Sequence, residues 1–301
     1  MKKVAIISDI HGVLEPLIAV LADIKKRGIT EVYTLGDNIG LGPNPSEVLN
    51  LLEENQANII RGEAEEICIH GINGFDYLER DFNLSQSYNW TKSKLNPEQT
   101  QRLKIYPISY ELLMGGKKIG LCHFANDVRF EEPSISGKNY QLNLINPVKR
   151  NKASFQFYST NTDDQRIKIE NEILILEQAK KNSKKIRKSS NARLDLLLSA
   201  KTEPLFGGKL IGVFDSIIQG HIHIKYNDYS SSTMFHNIHS LIGNEKRELA
   251  SYIILTETVN GYSLEEVFVE FDFEKMISVI NESDMPIKSK IKKMAGFKQS
   301  I

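Results

Sequence analysis

Seven residues of this chain, Asp9, His11, Asp37, Glu63, His123, His221 and His223, offer carboxylate oxygen or imidazole nitrogen, the donors that hold hard and borderline divalent cations. Each stands at the C-terminal end of a predicted strand, and two share the unit Gly220-His221-Ile222-His223. A single aspartate after a strand is ordinarily a turn or cap residue. Seven such residues at separate strand ends need another reason. A sheet whose strands end together gathers them at one edge, where O and N ligands can hold two cations roughly 4 Å apart.

The elements that would position them follow from local pattern. Residues 4–8 form a β-branched run that reads as a strand buried on both faces. Leu14, Leu17, Ile18, Leu21 and Ile24 then recur at helical spacing, predicting a helix over 14–27 ended by Gly28. A second strand, 31–35, runs into Gly36-Asp37. Asn44-Pro45-Ser46-Glu47 supplies a helix N-cap, a proline at the first helical position and an acid in the first turn. That helix reaches about residue 54, and a third strand, 57–60, ends at Arg61-Gly62-Glu63. In open α/β sheets this carboxyl edge is where ligands bind. Further on, residues 109–122 read as a hairpin around Gly115-Gly116, and 213–218 as a strand ending at the Gly-His-X-His unit. Strands near 232–238, 250–257 and 262–271 and a helix near 273–281 complete the pattern.

Two stretches differ. Residues 149–201 hold 13 Lys or Arg against 6 Asp or Glu; within this span Ile167, Ile169, Ile173, Leu174, Leu176 and Ala179 predict a helix over 167–181, flanked by loops rich in Ser, Asn and Lys. Lys288 to Lys298 reads as a solvated helix or tail.

The 301 residues carry 38 basic and 38 acidic side chains, so overall charge points to no genome-scale polyanion. Cys68 and Cys122 both lie in apolar runs, which excludes a disulfide framework and fits a reducing cytoplasm. Met1-Lys2-Lys3 leads into five apolar or small residues before Asp9, short of the roughly 7–15 of a secretory signal. No apolar run reaches the roughly 18 residues of a membrane span.

The motifs resemble those of the calcineurin-like metallophosphoesterases, in their bacterial and archaeal branch. Asp9-Ile10-His11 matches the Asp-X-His motif. Gly36-Asp37, with its tail to Pro45, matches the Gly-Asp motif, and Gly220 to His223 the Gly-His-X-His motif. Trp90-Thr91 to Pro107 is similar to the segment before the central hairpin, and Asn237 to Gly243 stands where Asn-Pro-Gly-Ser-X-Gly is usual. The resemblance implies an α/β fold, a four-layer α/β/β/α sandwich over 1–301 with an insertion at about 126–205. It also implies two divalent cations, one held by Asp9, His11, Asp37 and His223 and the other by Asp37, Glu63, His123 and His221, with Asp37 bridging. Manganese or iron suits this ligand set first, and zinc or magnesium is compatible. The implied activity is hydrolysis of a small phosphorylated molecule by a dimetal-activated water. The substrate would be nucleotide-like, a phosphodiester or phosphoanhydride, or else a phosphomonoester. No aromatic platform for single strands accompanies the basic stretch, which disfavours nucleic acid; pairing between copies stays open.

One motif departs from the pattern. Where the family has Gly-Asn-His-Asp or Gly-Asn-His-Glu, this chain has Gly62-Glu63-Ala64-Glu65. Glu63 can still coordinate, but Ala64 removes a histidine donor, a loss that typically lowers rate about 10²–10⁴-fold. His239 is the candidate to act on the leaving group in its place, with His70 a weaker one and His236 assigned to packing. Arg247, and less so Arg61, would contact phosphate. The rival reading is a catalytically impaired binding or scaffold protein on the same fold.

Overall fold

The computed structural model describes residues 1–71, 82–124, 213–221, 223, 225–229, 232–242 and 248–295, and the backbone of 128–131 and 141–144. Five strands form one sheet in the order β12-β11-β1-β2-β3. These are β1 (Lys3–Ile7), β2 (Glu31–Thr34), β3 (Asn58–Ile59), β11 (Leu249–Thr258) and β12 (Gly261–Glu270). A second sheet has the order β4-β5-β8-β10-β9, made from β4 (Ser109–Met114), β5 (Lys117–Cys122), β8 (Ser216–Gln219), β9 (Tyr226–Asp228) and β10 (Met234–Asn237). A separate pair, β6 (Val128–Glu131) and β7 (Gln141–Leu144), falls in the expected insertion. The remainder of that insertion, with the helix expected over 167–181, lies outside the described residues.

The two large sheets pack face to face. Val4, Ile6, Leu35, Ile60, Ile253 and Leu255 from the first interleave with Leu112, Met114, Ile119, Leu121 and Ile218 from the second. The alternate residues of β1, Ala5 and Ile7, point the other way into a second core under the helices. This is the two-sided burial that the continuous apolar run of β1 predicts.

Seven helices are described, all packed on that outer face. Helix α1 (Leu14–Lys26) buries Leu17, Val20, Leu21 and Ile24. It ends as expected at Gly28, whose φ of 69° lets its N–H return to the Lys25 carbonyl. Helix α2 (Pro45–Glu54) starts where predicted, with one correction: Asn44 occupies the N-cap position but its side chain makes no capping bond. Proline at the first position and Glu47 in the first turn carry that start. Three short helices, α3 (Glu63–His70), α4 (Phe82–Lys94) and α5 (Pro97–Ile105), follow β3. Helices α6 (Phe273–Glu282) and α7 (Lys288–Met294) close the chain. The latter is not merely solvated, because Ile291 is fully buried in the helical core. No described helix is long and apolar enough to cross a membrane.

β1, β2 and β3 run parallel, as do β5, β8 and β10. Their C-terminal ends share one edge of the sandwich, and there the loops carrying the seven predicted ligands converge.

Candidate metal centre

The loop after β1 is laced to the loop after β2 by backbone bonds. His11 N–H donates to the Asp37 carbonyl at 2.8 Å, Gly12 N–H to that of Asn38 at 2.8 Å, and Asp9 N–H to that of Gly36 at 3.2 Å. From the second sheet, Gly220 N–H reaches the His123 carbonyl at 3.0 Å, joining the loops after β5 and β8. The two halves then meet through His221 N–H, which donates to both carboxylate oxygens of Asp9 at 3.0 and 3.2 Å.

Close approach of these loops requires glycine, at Gly62 and Gly220 among others. A Cβ on Gly62 would stand 2.4 Å from Asp37 N and 2.6 Å from Asp37 Oδ1; one on Gly220 would stand 1.9 Å from Ser8 Oγ and 2.4 Å from Asp9 Oδ2. Backbone strain gathers here too. Asp9, His11, Asp37, His221 and His223 all have φ between 51° and 71°, a region that non-glycine residues seldom occupy and that costs on the order of 1–3 kcal/mol each.

Two triads result, Asp9 with His11 and His223, and Asp37 with His123 and His221; within each, the donor atoms lie within 4.8 Å of one another. His11 Nε2 faces His223 Nε2 at 3.0 Å, and His223 Nε2 lies 3.2 Å from Asp9 Oδ1. In the other triad His123 Nε2 lies 3.1 Å from His221 Nδ1 and 3.4 Å from Asp37 Oδ1. Around a cation bonded at about 2.1 Å, adjacent ligand atoms stand about 3.0 Å apart in an octahedron and about 3.4 Å in a tetrahedron. The observed spacings match, so the donor set fits divalent ions.

The surrounding bonds support that use. His123 Nδ1 bonds the Leu35 carbonyl at 2.9 Å, which places its proton on Nδ1 and leaves the Nε2 lone pair facing the triad. Ser8 Oγ donates to Asp9 Oδ2 at 2.5 Å, and Ala64 N–H donates to Asp37 Oδ1 at 2.7 Å. Burial opposes ionisation of Asp9, but the facing histidines, His223 foremost, hold its pKa far below the carboxylate range. Burial, then His223, pushes His11 down to about 3. His223 is raised because Asp9 outweighs its burial.

Glu65 has a role that the sequence reading missed. Fully buried, its carboxylate accepts the N–H groups of Asp37 at 3.0 Å, Asn38 at 2.9 Å, Ile39 at 3.2 Å and Gly62 at 2.6 Å. It therefore fastens the Asp37 loop to the start of α3. The signal was present, since glutamate at the third helical position reaches back to the N-cap N–H, here that of Gly62.

The other predicted residues fall as follows. Glu63 is buried in the first turn of α3, but its carboxylate belongs to neither triad. His239 Nδ1 lies 2.6 Å from Glu266 Oε1, whose other oxygen takes Lys225 Nζ at 2.9 Å. Arg61 pairs with Glu66 at 2.6 Å and His70 with the same carboxylate at 3.3 Å. His236 is packed as expected, bonded to Asn227 Oδ1 at 2.7 Å and the Tyr262 hydroxyl at 3.2 Å. Arg247 lies outside the described residues.

Comparison with known proteins gives three results. The profile of the calcineurin-like phosphoesterase family matches residues 2–225. An uncharacterized protein of Methanocaldococcus jannaschii is 35% identical over 120 residues, 40% of this chain and 48% of that one, so the match spans about half of that relative. Two crystal structures share the fold. A hypothetical protein of Pyrococcus horikoshii is 15% identical with a TM-score of 0.60 and 98% of both chains covered. A metallophosphoesterase of Sphaerobacter thermophilus is 17% identical with a TM-score of 0.55 and 99% of both covered.

Proposed function

The chain belongs to the calcineurin-like phosphoesterase family, and from that membership we propose that it hydrolyses a small phosphorylated molecule at a dimetal centre. The observation that carries the proposal is the pair of Asp-His-His triads at one sheet edge, each with two members buried and one half-buried. In this reading Asp9, His11 and His223 would hold one cation, His123 and His221 with Glu63 the other, and Asp37 would serve both. Manganese or iron is the proposed pair. Two such cations would lower the pKa of water and neutralise phosphoryl oxygens.

The chain's own groups supply order around that chemistry. Ser8 and the His221 N–H fix the Asp9 carboxylate, and Ala64 N–H fixes one oxygen of Asp37. The Leu35 carbonyl holds the His123 tautomer. Glu266 holds His239 by its Nδ1, which orients the ring that we assign to the leaving group; Arg247 is assigned to a phosphate oxygen. The proposed substrate is nucleotide-like, a phosphodiester or phosphoanhydride ahead of a phosphomonoester. A cytoplasmic location is supported by Cys68 and Cys122, both buried free thiols.

The Gly62-Glu63-Ala64-Glu65 departure favours the scaffold reading. Against it stands strain: five ligands held at positive φ are a liability that a protein free of ligand binding has no reason to keep. The test is hydrolysis of a chromogenic phosphodiester and a phosphomonoester by chelator-stripped protein with manganese restored, beside Asp37→Ala. Manganese-dependent turnover that vanishes in Asp37→Ala is expected. Turnover no greater than that of Asp37→Ala would favour the scaffold.

A further inference from the structure

The missing histidine of the altered motif leaves a small methyl group, Ala64, beside the centre. What packs there is the one tyrosine buried on α4. Leu84, Ser85, Ser87, Tyr88 and Thr91 form the inward face of this helix, and Thr91 Oγ1 donates to the Gly40 carbonyl, pinning the helix to the loop that follows Asp37. One turn earlier, Tyr88 is 95% buried, its relative exposure being 5%. From a Cβ placed on Gly40, the Ala64 Cβ lies at 3.2 Å, and His11 Nδ1 and Tyr88 Cε1 each at 3.5 Å. A ligand ring, the vacated motif position and the phenol thus surround one point.

Two further observations mark this spot. His11 Nδ1 is buried there with no hydrogen-bond partner, a condition that ordinarily costs about 1–3 kcal/mol. Burial first, then the charges of Asp37 and Glu63, push the pKa of the Tyr88 phenol up.

Resting on the dimetal reading above, we infer that Tyr88 supplies the O–H donor that position 64 lacks, bonding a phosphoryl oxygen of the bound substrate. A phenol suits the task because it is a neutral donor on a rigid ring, fixed here by the Thr91 anchor. It donates without transferring its proton, so no new bond is made or broken at Tyr88.

Tyr88→Phe keeps the ring and its packing and removes only the hydroxyl. With the manganese-loaded protein, kcat for a chromogenic phosphoester is expected to fall about 10²-fold, the usual effect of deleting one donor to a developing phosphoryl charge. Melting temperature and manganese stoichiometry stay at wild-type values. Inorganic phosphate, titrated calorimetrically into the same preparations, should bind about tenfold more weakly to the variant. Wild-type kcat and wild-type phosphate affinity in Tyr88→Phe overturn the inference while the dimetal reading stands. If the wild-type protein hydrolyses no ester, the phosphate titration alone decides the role of Tyr88. If it also binds no phosphate, the dimetal reading has failed and Tyr88 loses its assignment with it.

Discussion

Glu65→Gln tests whether a single buried carboxylate holds the centre in shape. One oxygen of Glu65 accepts from Asn38 N and Ile39 N, the other from Asp37 N and Gly62 N. Glutamine has one oxygen to offer. In the better orientation its NH₂ faces the Asp37 and Gly62 N–H groups, leaving two buried donors opposed by a third. At about 1–3 kcal/mol for each orphaned donor the loss is about 2–6 kcal/mol. Part is returned, because burial and the nearby Asp37 charge work against the carboxylate and push its pKa up to about 7, a penalty that a neutral amide escapes. The net expectation is about 2–4 kcal/mol, a fall of roughly 4–12 °C in melting temperature at about 2–3 °C per kcal/mol for a chain of this size. The second consequence is specific to the site. Asp37 sits at φ 51°, a strained conformation that survives only while its surroundings enforce it. Freeing its N–H should therefore weaken manganese binding more than tenfold, read by calorimetry on protein that is still folded. Glu65→Asp, one methylene shorter and unable to span both loops, should fall between the two. Glu65→Gln within 1 kcal/mol of wild type and with unchanged manganese affinity would refute the reasoning.

Three other outcomes are expected. In Gly220→Ala the new methyl would stand 1.9 Å from Ser8 Oγ and 2.4 Å from Asp9 Oδ2; displacing Asp9 should lower affinity for one manganese ion at least tenfold, and calorimetry showing two unaltered sites would contradict this. Manganese at about 100 times its dissociation constant should stabilise the wild type by about 2.7 kcal/mol per site, about 5 kcal/mol for two, whereas Asp37→Ala should gain less than half of that in a thermal melt. The third concerns pH. Burial first, then Lys225, lowers the His236 pKa from 6.5 to about 4, with Asn227, Tyr262 and Tyr229 as its other neighbours. A lowered histidine pKa means that the unfolded chain binds more protons between pH 6.5 and 4, so this contribution is fully present above 6.5 and is lost as pH falls through that window. About 2 kcal/mol should disappear between pH 7 and pH 5. His236→Phe should lose that much less over the same interval, and parallel wild-type and variant curves would count against a neutral His236.

How much of this was legible in the sequence depended on what kind of burial each segment undergoes. The β1-α1-β2-α2-β3 run was readable because its faces are apolar and its breaks fall at Gly28, Gly36 and Pro45. Helices α3 and α4 were not readable. Their inward residues include Glu63, Glu65, Glu66, Ser85, Ser87, Tyr88 and Thr91, so a search for an apolar stripe finds nothing there. Their polar inward residues lie toward the centre, while Ala64, Ile67, Cys68 and Leu84 join the helical core. Polar residues pay for such burial with hydrogen bonds, and Glu65 and Thr91 make theirs to the Asp37-to-Gly40 loop.

The same distinction explains why the candidate ligands were legible by type and their geometry was not. Asp and His announce themselves by type, and their placement at strand ends follows from periodicity alone. Their spacing depends on backbone that local pattern does not encode, namely five residues at positive φ and two loops laced by His11 N–H and Gly12 N–H. Those backbone bonds are made by main-chain groups that every residue but proline has, so they leave no compositional trace. Gly62 and Gly220 do leave one, since each is a glycine beside a ligand with no room for a Cβ. Gly220 belongs to a matched motif and Gly62 is the part of the altered motif that is kept, so part of what looks like a ligand motif is a record of how closely the two sheets' loops must approach before their candidate ligands can meet.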